Sequence, residues 1–421
     1  MGGIVRRVDE NPQELHPVVQ EFQDLIESSP RLYLLFESML HEVPHSHHYS
    51  SQINGPPQVR DYKHLMQVFN HLLTSSPTYS DRKNRMSFVG LPFNDVLVWP
   101  MGTPSGYAAF IDSDVNHMFH KLLNVWGAYL QSPESSYVLD NSSNTDWFGP
   151  YGLRDLITVG NNFGKTNYTF NEMFHSNPSA PNHGYKTWDN FFTRLFRPGI
   201  RPIASPDDDS VIINSCESQP FRVQHNVQAR DKFWVKEQPY SVMDMLGSHN
   251  GKDQDHLARQ FVGGTIYQAF LNALSYHRWH APVSGRIVKT YVLNGTYFSE
   301  PTWNGVSGDA PNHTHIDPTG VVASEAYLSA MATRAIILIE ADNPAIGTMA
   351  FVGVGMVEVS TCDVTVHEGQ HVNKGDELGM FHYGGSTHCL LFREGVNVDG
   401  FPEKSSSQRN HPVNAQLAVV H

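Results

Sequence analysis

The sequence predicts an α+β protein in which an α-helical N-terminal domain precedes a β-rich one. Three observations point there. Apolar residues recur at helical spacing through the first third of the chain, strand-length apolar runs replace them after Pro202, and Gly and Asn punctuate those runs as turns. At 421 residues, with 40% hydrophobic and 17% charged, the chain is globular and long enough to bury a substantial core in two or three domains. We set the boundary so that 1–175 forms the helical domain and 176–421 the β-rich one.

In chain order, Leu15, Val18, Val19, Phe22, Leu25 and Ile26, then Leu32, Leu35, Phe36 and Leu40, predict two helices between Asn11 and Val43, broken near Pro30. His45-Ser46-His47-His48 follows in a polar stretch with no acidic or cysteine partner at ligand spacing, so a solvated loop is expected rather than a metal site. Further amphipathic helices are expected from about Val59 to Leu73 and from Asp114 to Leu130. Ser132 to Thr145, rich in Ser and Asn, reads as a loop, and Gly152 to Val159 as a short helix. Thr187 can cap a helix within Tyr185 to Phe196, its stripe of Trp188, Phe191, Phe192 and Leu195 facing a core and Pro198 stopping it.

Strands are expected at Val211–Glu217, Gly264–Ser275, Gly285–Leu293, Arg334–Glu340, Gly347–Ser360 and Cys362–Val366. Gly295 to Pro318, dense in Gly, Asn, Pro and His, reads as a long surface insertion. Val372 to Phe381 reads as a turn and a strand that delivers Tyr383-Gly384-Gly385-Ser386-Thr387.

Composition excludes several functions. A net charge of -13, from 29 basic against 42 acidic residues, disfavours nucleic acid and anionic membranes as partners. Cys216, Cys362 and Cys389 are widely spaced with no CxxC pair, so neither a disulfide framework nor a zinc site is indicated, no metal is expected, and a reducing, cytoplasmic setting is the default. Residues 1–7 carry no apolar signal core, and Arg6 stands where myristoylation needs Ser or Thr. The longest apolar region, Ala345 to Val359, is interrupted by glycines and falls short of the roughly 18 residues of a membrane span. No stable membrane insertion is therefore expected, and a small soluble substrate fits best.

The chemistry centres on Ser386. Glycine leaves its carbonyl unshielded and tolerates unusual dihedrals, so the Gly385–Ser386 amide is open to attack by the Ser386 hydroxyl. An N-to-O acyl shift, β-elimination and loss of ammonia would cut the chain between 385 and 386 and leave a pyruvoyl group derived from Ser386. That reaction needs a base for the serine proton and an acid for the leaving nitrogen, roles that histidine fills near neutral pH, with a carboxylate to orient the ring. His277 and His280 bracket Arg278-Trp279 at the end of an apolar run; from spacing alone, one packed and one solvated histidine serve equally well. Glu217, at the tip of the Val211 strand, is the candidate orienting carboxylate, although an acid at a strand end is more often simply solvated.

Tyr276-His277-Arg278-Trp279-His280-Ala281-Pro282, together with Gly384-Gly385-Ser386-Thr387, resembles the pyruvoyl-dependent phosphatidylserine decarboxylase family, a likeness that extends over Tyr185 to Phe392 through the Tyr185–Phe196 helix and Arg201-Pro202-Ile203. The helical extension brings the chain closer to the family's soluble fungal branch, a likeness that implies a free aromatic amino acid such as L-tryptophan as substrate. The resemblance implies that Ser386 becomes the pyruvoyl cofactor, that Gly385 ends a long chain, and that residues 386–421, 36 in all, form a short partner chain. It implies that His280 serves self-processing and His277 decarboxylation. Glu217 stands where the family carries Asp, and reaches one methylene further. Decarboxylation would run through a Schiff base between the substrate amine and the ketone.

The expected activity is thus that of a carboxy-lyase that removes CO2 from a free amino acid. The alternative is a phosphatidylserine decarboxylase of phospholipid biosynthesis. Trp279, Tyr297, Phe298 and Tyr383 can stack on an indole or serve as core. A homo-oligomer stays open. Three rivals are weaker. A serine hydrolase built on Glu217, His280 and Ser386 lacks a Gly-x-Ser-x-Gly elbow, since residue 388 is His. A lipoyl-like carrier would use Lys374 in the Lys374-Gly375-Asp376 turn. A pyridoxal phosphate enzyme would need a phosphate-cradling loop beside a Schiff-base lysine.

Overall fold

The structure, a computed structural model, describes residues 2–43, 59–79, 90–230, 240–301, 324–358, 361–383, 386–404 and 409–421. His45, His47, His48, Gly384, Gly385 and the latter part of the 295–318 segment lie outside the described residues.

The N-terminal half is helical, as its periodicity predicts. Helices Pro17–Ser28 and Pro30–His41 meet at Ser29, whose N–H donates to the Ile26 carbonyl while its hydroxyl accepts from the Leu32 N–H. Pro30 sits at the first helical position, where no N–H is needed. Helices Tyr62–Leu72 and Ser113–Leu130 are capped by Asp61 and Asp112. Their apolar faces converge on Phe22, Phe36, Phe69 and Phe119, which meet edge-on. Phe298 joins this cluster, 4.9 Å from Phe119. The start of the expected surface insertion is therefore core. Thr296 to Glu300 are all buried, because Tyr297 and Phe298 find apolar cover on the Ser113–Leu130 helix and the Tyr297 N–H donates to Asn116 Oδ1.

Two further expectations need correction. The helix expected within Tyr185 to Phe196 spans only Trp188–Phe192, capped by Thr187 as anticipated, and Leu195 is 43% exposed instead of core-facing. The chain leaves helical geometry because Phe196 bridges to Phe174 and Arg194 turns its guanidinium onto the Leu274 and Ser275 carbonyls. The strand expected at Val211–Glu217 ends at Ile213, where the Asn214 amide binds the Cys216 and His411 carbonyls in competition with the ladder.

Among the described residues, the second half holds three antiparallel sheets. The large one runs β2 (Gln219–His225), β3 (Thr265–Leu271), β11 (Ser386–Phe392), β7 (Thr348–Gly355), β6 (Arg334–Ala341), β5 (Gly285–Leu293) and β9 (His371–Val372). A second pairs β4 (Arg278–His280), β10 (Glu377–His382) and β8 (Thr361–Val364), and a third pairs β1 (Val211–Ile213), β13 (Gln416–Val420) and β12 (Val398–Asp399). Trp279 of β4, fully buried, packs on Phe351 of β7 and Phe381 of β10, which joins the second sheet to a face of the first. Among the described residues no helix is long and apolar enough to cross a membrane.

Candidate active site

Ser386 opens β11, deep inside the large sheet, paired to Leu271 on one side and Gly355 on the other. It is fully buried, and its hydroxyl has no hydrogen-bond partner among the described residues. Side chains alternate along a strand, so His388 shares the face of Ser386. His388 is equally buried, stacks on Phe351 at 5.9 Å, and leaves both ring nitrogens without a described partner; burial lowers its pKa to about 3. The opposite face differs. There Thr387 Oγ1 donates to the Ala269 carbonyl at 2.9 Å, accepts from Gln268 Nε2 at 3.2 Å and lies 3.3 Å from Glu325 Oε2. Tyr240 donates to Gln268 in turn, and burial pushes the Glu325 carboxyl up to about 8.

The two candidate histidines occupy opposite ends of the short β4–β10 ladder. His277 lies just ahead of β4, and its carbonyl accepts from the Phe381 N–H at 3.0 Å, close to where β10 leaves for Ser386. Its ring is fully buried, stacked on Phe192 at 4.2 Å, with Nε2 3.4 Å from the Ala273 carbonyl and Nδ1 without a described partner. Burial, aided by the charge of Arg194, lowers its pKa to about 3, so the ring is neutral and Nδ1 carries a free lone pair. His280 is opposite Glu377. Its Nδ1 donates to the Gly375 carbonyl at 2.7 Å, which leaves Nε2 as the basic atom, accepting from the Tyr276 hydroxyl at 3.0 Å. Burial lowers its pKa as well.

Glu217 is buried, but its carboxylate faces Arg201, accepting from Nε at 2.9 Å and from the terminal nitrogen at 2.8 Å. The Val413 N–H adds a third bond at 3.1 Å. The fork-on-fork geometry fixes both groups. The Arg201 guanidinium also lies over Phe196, which packs on Tyr276, and the Tyr276 hydroxyl feels the Glu217 charge. The Glu217–Arg201 pair and the Tyr276–His280 pair are therefore joined through the Phe196 ring. No hydrogen bond among the described residues links Ser386, His277, His280 and Glu217 to one another.

Several groups here carry no motif. His382 binds Asp189 at 2.7 Å and lies 3.6 Å from Asp363; burial works against its proton, but the two carboxylates prevail and its pKa is raised. Glu358, fully buried, accepts from the Phe93 and Asn94 N–H groups. His388 alone left a trace in the sequence, a histidine at the core-facing register of an apolar strand. The four aromatic residues with a possible stacking role, Trp279, Tyr297, Phe298 and Tyr383, are all buried against other rings or helices. Lys374 is buried too, its ammonium donating to the Ser205 and Asp208 carbonyls, which leaves no free carrier lysine at that turn. Among the described residues no three His, Cys, Asp or Glu side chains are placed to hold a metal ion.

Comparison with known proteins gives the arrangement a context. Two family models, both described as phosphatidylserine decarboxylase, match residues 16–156 and 188–413. The chain is 40% identical over 334 residues to the decarboxylase iboD of Amanita muscaria, covering 79% of this chain and 92% of that one. It is 35% identical over 409 residues to the L-tryptophan decarboxylase of Psilocybe cubensis, covering 95% and 86%. Phosphatidylserine decarboxylase proenzyme 3 of Schizosaccharomyces pombe is 31% identical over 223 residues, covering 53% of this chain and 20% of its own.

Proposed function

Since the chain belongs to the phosphatidylserine decarboxylase family, whose members are carboxy-lyases, we propose that it matures by cutting itself between Gly385 and Ser386 and then decarboxylates a free aromatic L-amino acid such as L-tryptophan. The observation that carries the reading is the Ser386 hydroxyl: buried, unpartnered among the described residues, and held in a fixed strand between β3 and β7. Conversion of that residue to a ketone removes a hydroxyl that has no described partner, and although the Ser386 N–H is lost with it, the rest of the β11 ladder from Thr387 onward keeps the product in place. A pyruvoyl group at 386 supplies an electron sink for the pair released as CO2 leaves.

The surrounding residues have distinct tasks in this reading. His280, its tautomer fixed by the Gly375 carbonyl, takes the Ser386 proton through Nε2 once Tyr276 yields that atom. His277, neutral with an open Nδ1 beside the end of β10, handles the proton that replaces the departing carboxylate. Glu217 acts on His280 only indirectly, by fixing Arg201 over the Phe196 ring that packs on Tyr276. The amino-acid substrate is favoured over a phospholipid because the likeness to the L-tryptophan decarboxylase takes in the helical N-terminal half, whereas that to the phosphatidylserine decarboxylase proenzymes covers about half the chain.

Intact-mass measurement of the purified protein tests the first claim. Two chains, 1–385 and a 36-residue 386–421 that resists Edman degradation, are expected. A single 421-residue chain that still releases CO2 from tryptophan overturns it. Assay of the same sample with L-tryptophan and with phosphatidylserine vesicles tests the substrate; turnover of the vesicles alone overturns the amino-acid reading.

A further inference from the structure

Two non-glycine residues with positive φ lie close to Ser386. Tyr383, three residues upstream, has φ 70°, and Val357, two residues beyond the Gly355 that pairs with Ser386, has φ 51°. A β-branched or bulky aromatic residue rarely holds that conformation unless its surroundings impose it. Tyr383, and Glu358 next to Val357, are both held by contacts from the N-terminal helical half. The Tyr383 hydroxyl donates to the Gly127 carbonyl at 3.1 Å, within the Ser113–Leu130 helix, and accepts at 3.2 Å from Nε2 of Gln131, the residue that caps its C-terminus. Its ring packs on Trp126 at 5.6 Å, and Trp126 packs on Phe93 at 5.2 Å. Phe93 closes the circuit, since its N–H and that of Asn94 each donate at 3.0 Å to the carboxyl of Glu358, the residue after Val357.

We propose that the N-terminal helical region is a maturation jig: Gly127 and Gln131 on one side, and the Phe93 and Asn94 N–H groups on the other, hold the two strained turns that flank Ser386 and so orient the chain for self-cleavage. The proposal rests on the self-processing reading above. Tyr383 and Glu358 are positioning residues in it; neither touches the reacting atoms. Gly127 is needed as glycine because a Cβ there would stand 2.9 Å from the Tyr383 hydroxyl. The jig also gives the helical half a task in an enzyme whose proposed chemistry lies in the β-rich half.

The test follows cleavage of freshly translated full-length chain by gel and intact mass. Tyr383→Phe, which adds no atom, and Gly127→Ala, which displaces the phenol, are each expected to slow cleavage about ten-fold or more, and Glu358→Ala likewise. Circular dichroism establishes that each precursor folds; should Gly127→Ala not fold, Tyr383→Phe decides. The matured fraction of Gly127→Ala, normalised to titrated ketone, is expected to turn over within about two-fold of wild type, which general loosening of the fold would not leave intact. Wild-type cleavage rates in Tyr383→Phe and folded Gly127→Ala overturn the proposal. A wild-type chain that never cuts overturns the self-processing reading instead, and the two failures are distinct.

Discussion

The two faces of β11 differ sharply in how their polar atoms are treated. On one, Thr387 belongs to a network with Gln268, Tyr240 and Glu325 in which Glu325 Oε1 alone lacks a described partner. On the other, one residue away in either direction, Ser386 and His388 bury a hydroxyl and an imidazole with no described partners. An unpaired buried polar group costs about 1–3 kcal/mol, so a stable sheet cannot carry many. The hydrogen-bonded face anchors the strand, and the face of Ser386 and His388 keeps its polar atoms available for reaction. Substitutions on the two faces should therefore trade activity against stability in opposite ways.

The largest effect is expected at the head of the strand. Ser386→Ala removes the group to be converted, so the chain should stay whole and release no CO2. Because the lost hydroxyl has no described partner, stability should hold or rise by up to about 1 kcal/mol in urea unfolding. A mutant that is inactive because it is unfolded would contradict the division between the faces.

Next come the histidines, which differ as the two faces do. His277 has an open nitrogen and His280 has both engaged. His277→Ala should still cut itself but lose turnover, whereas His280→Ala should remain a precursor. Gel analysis and a CO2 assay on the same samples read both outcomes, and the reverse pattern exchanges the assigned roles.

A smaller effect concerns pH. His388 is held near a pKa of about 3 by burial, below the ordinary 6.5. A histidine with a depressed folded pKa contributes stability that is present above its unfolded pKa and is lost as pH falls from 6.5 toward 3. Wild type should therefore weaken relative to His388→Leu by roughly 3 kcal/mol on going from pH 7 to pH 4. Parallel urea midpoints at the two pH values measure the difference; equal pH slopes would mean that the imidazole gains a partner in acid.

What the sequence disclosed and what it hid follow the same physical line. Helix positions in the N-terminal half came from local periodicity, and β5 spans Gly285–Leu293 as expected, because such signals lie within a few residues of one another. Ser386, His277 and His280 stood out through motif chemistry. Their partners did not, since Glu217 turns to Arg201 and Tyr383 reaches Gly127, 256 residues away, and neither choice leaves a local pattern. Leu195 was misjudged for a related reason: Arg194 and Phe196 follow tertiary partners and end the helix early. Periodicity reports which face is apolar, while the use of a polar atom is decided by elements distant in the chain.

The smallest expected effect is on the anchored face. The single Thr387 proton goes to the Ala269 carbonyl at 2.9 Å, so the 3.3 Å contact with Glu325 is best met by a protonated carboxyl that donates to Thr387. A Glu325 pKa of about 8 agrees with that assignment, because the acid is then mostly neutral at pH 7. Thr387→Val keeps the shape but removes the hydroxyl, leaving Gln268 Nε2, the Ala269 carbonyl and the Glu325 carboxyl each one bond short, at a cost of about 1–3 kcal/mol. Thr387→Ser should recover most of it. Turnover per ketone should change little in either, since the lost bonds lie on the side of the sheet away from Ser386; a large loss of turnover at unchanged stability would show that the two faces do not divide their labour.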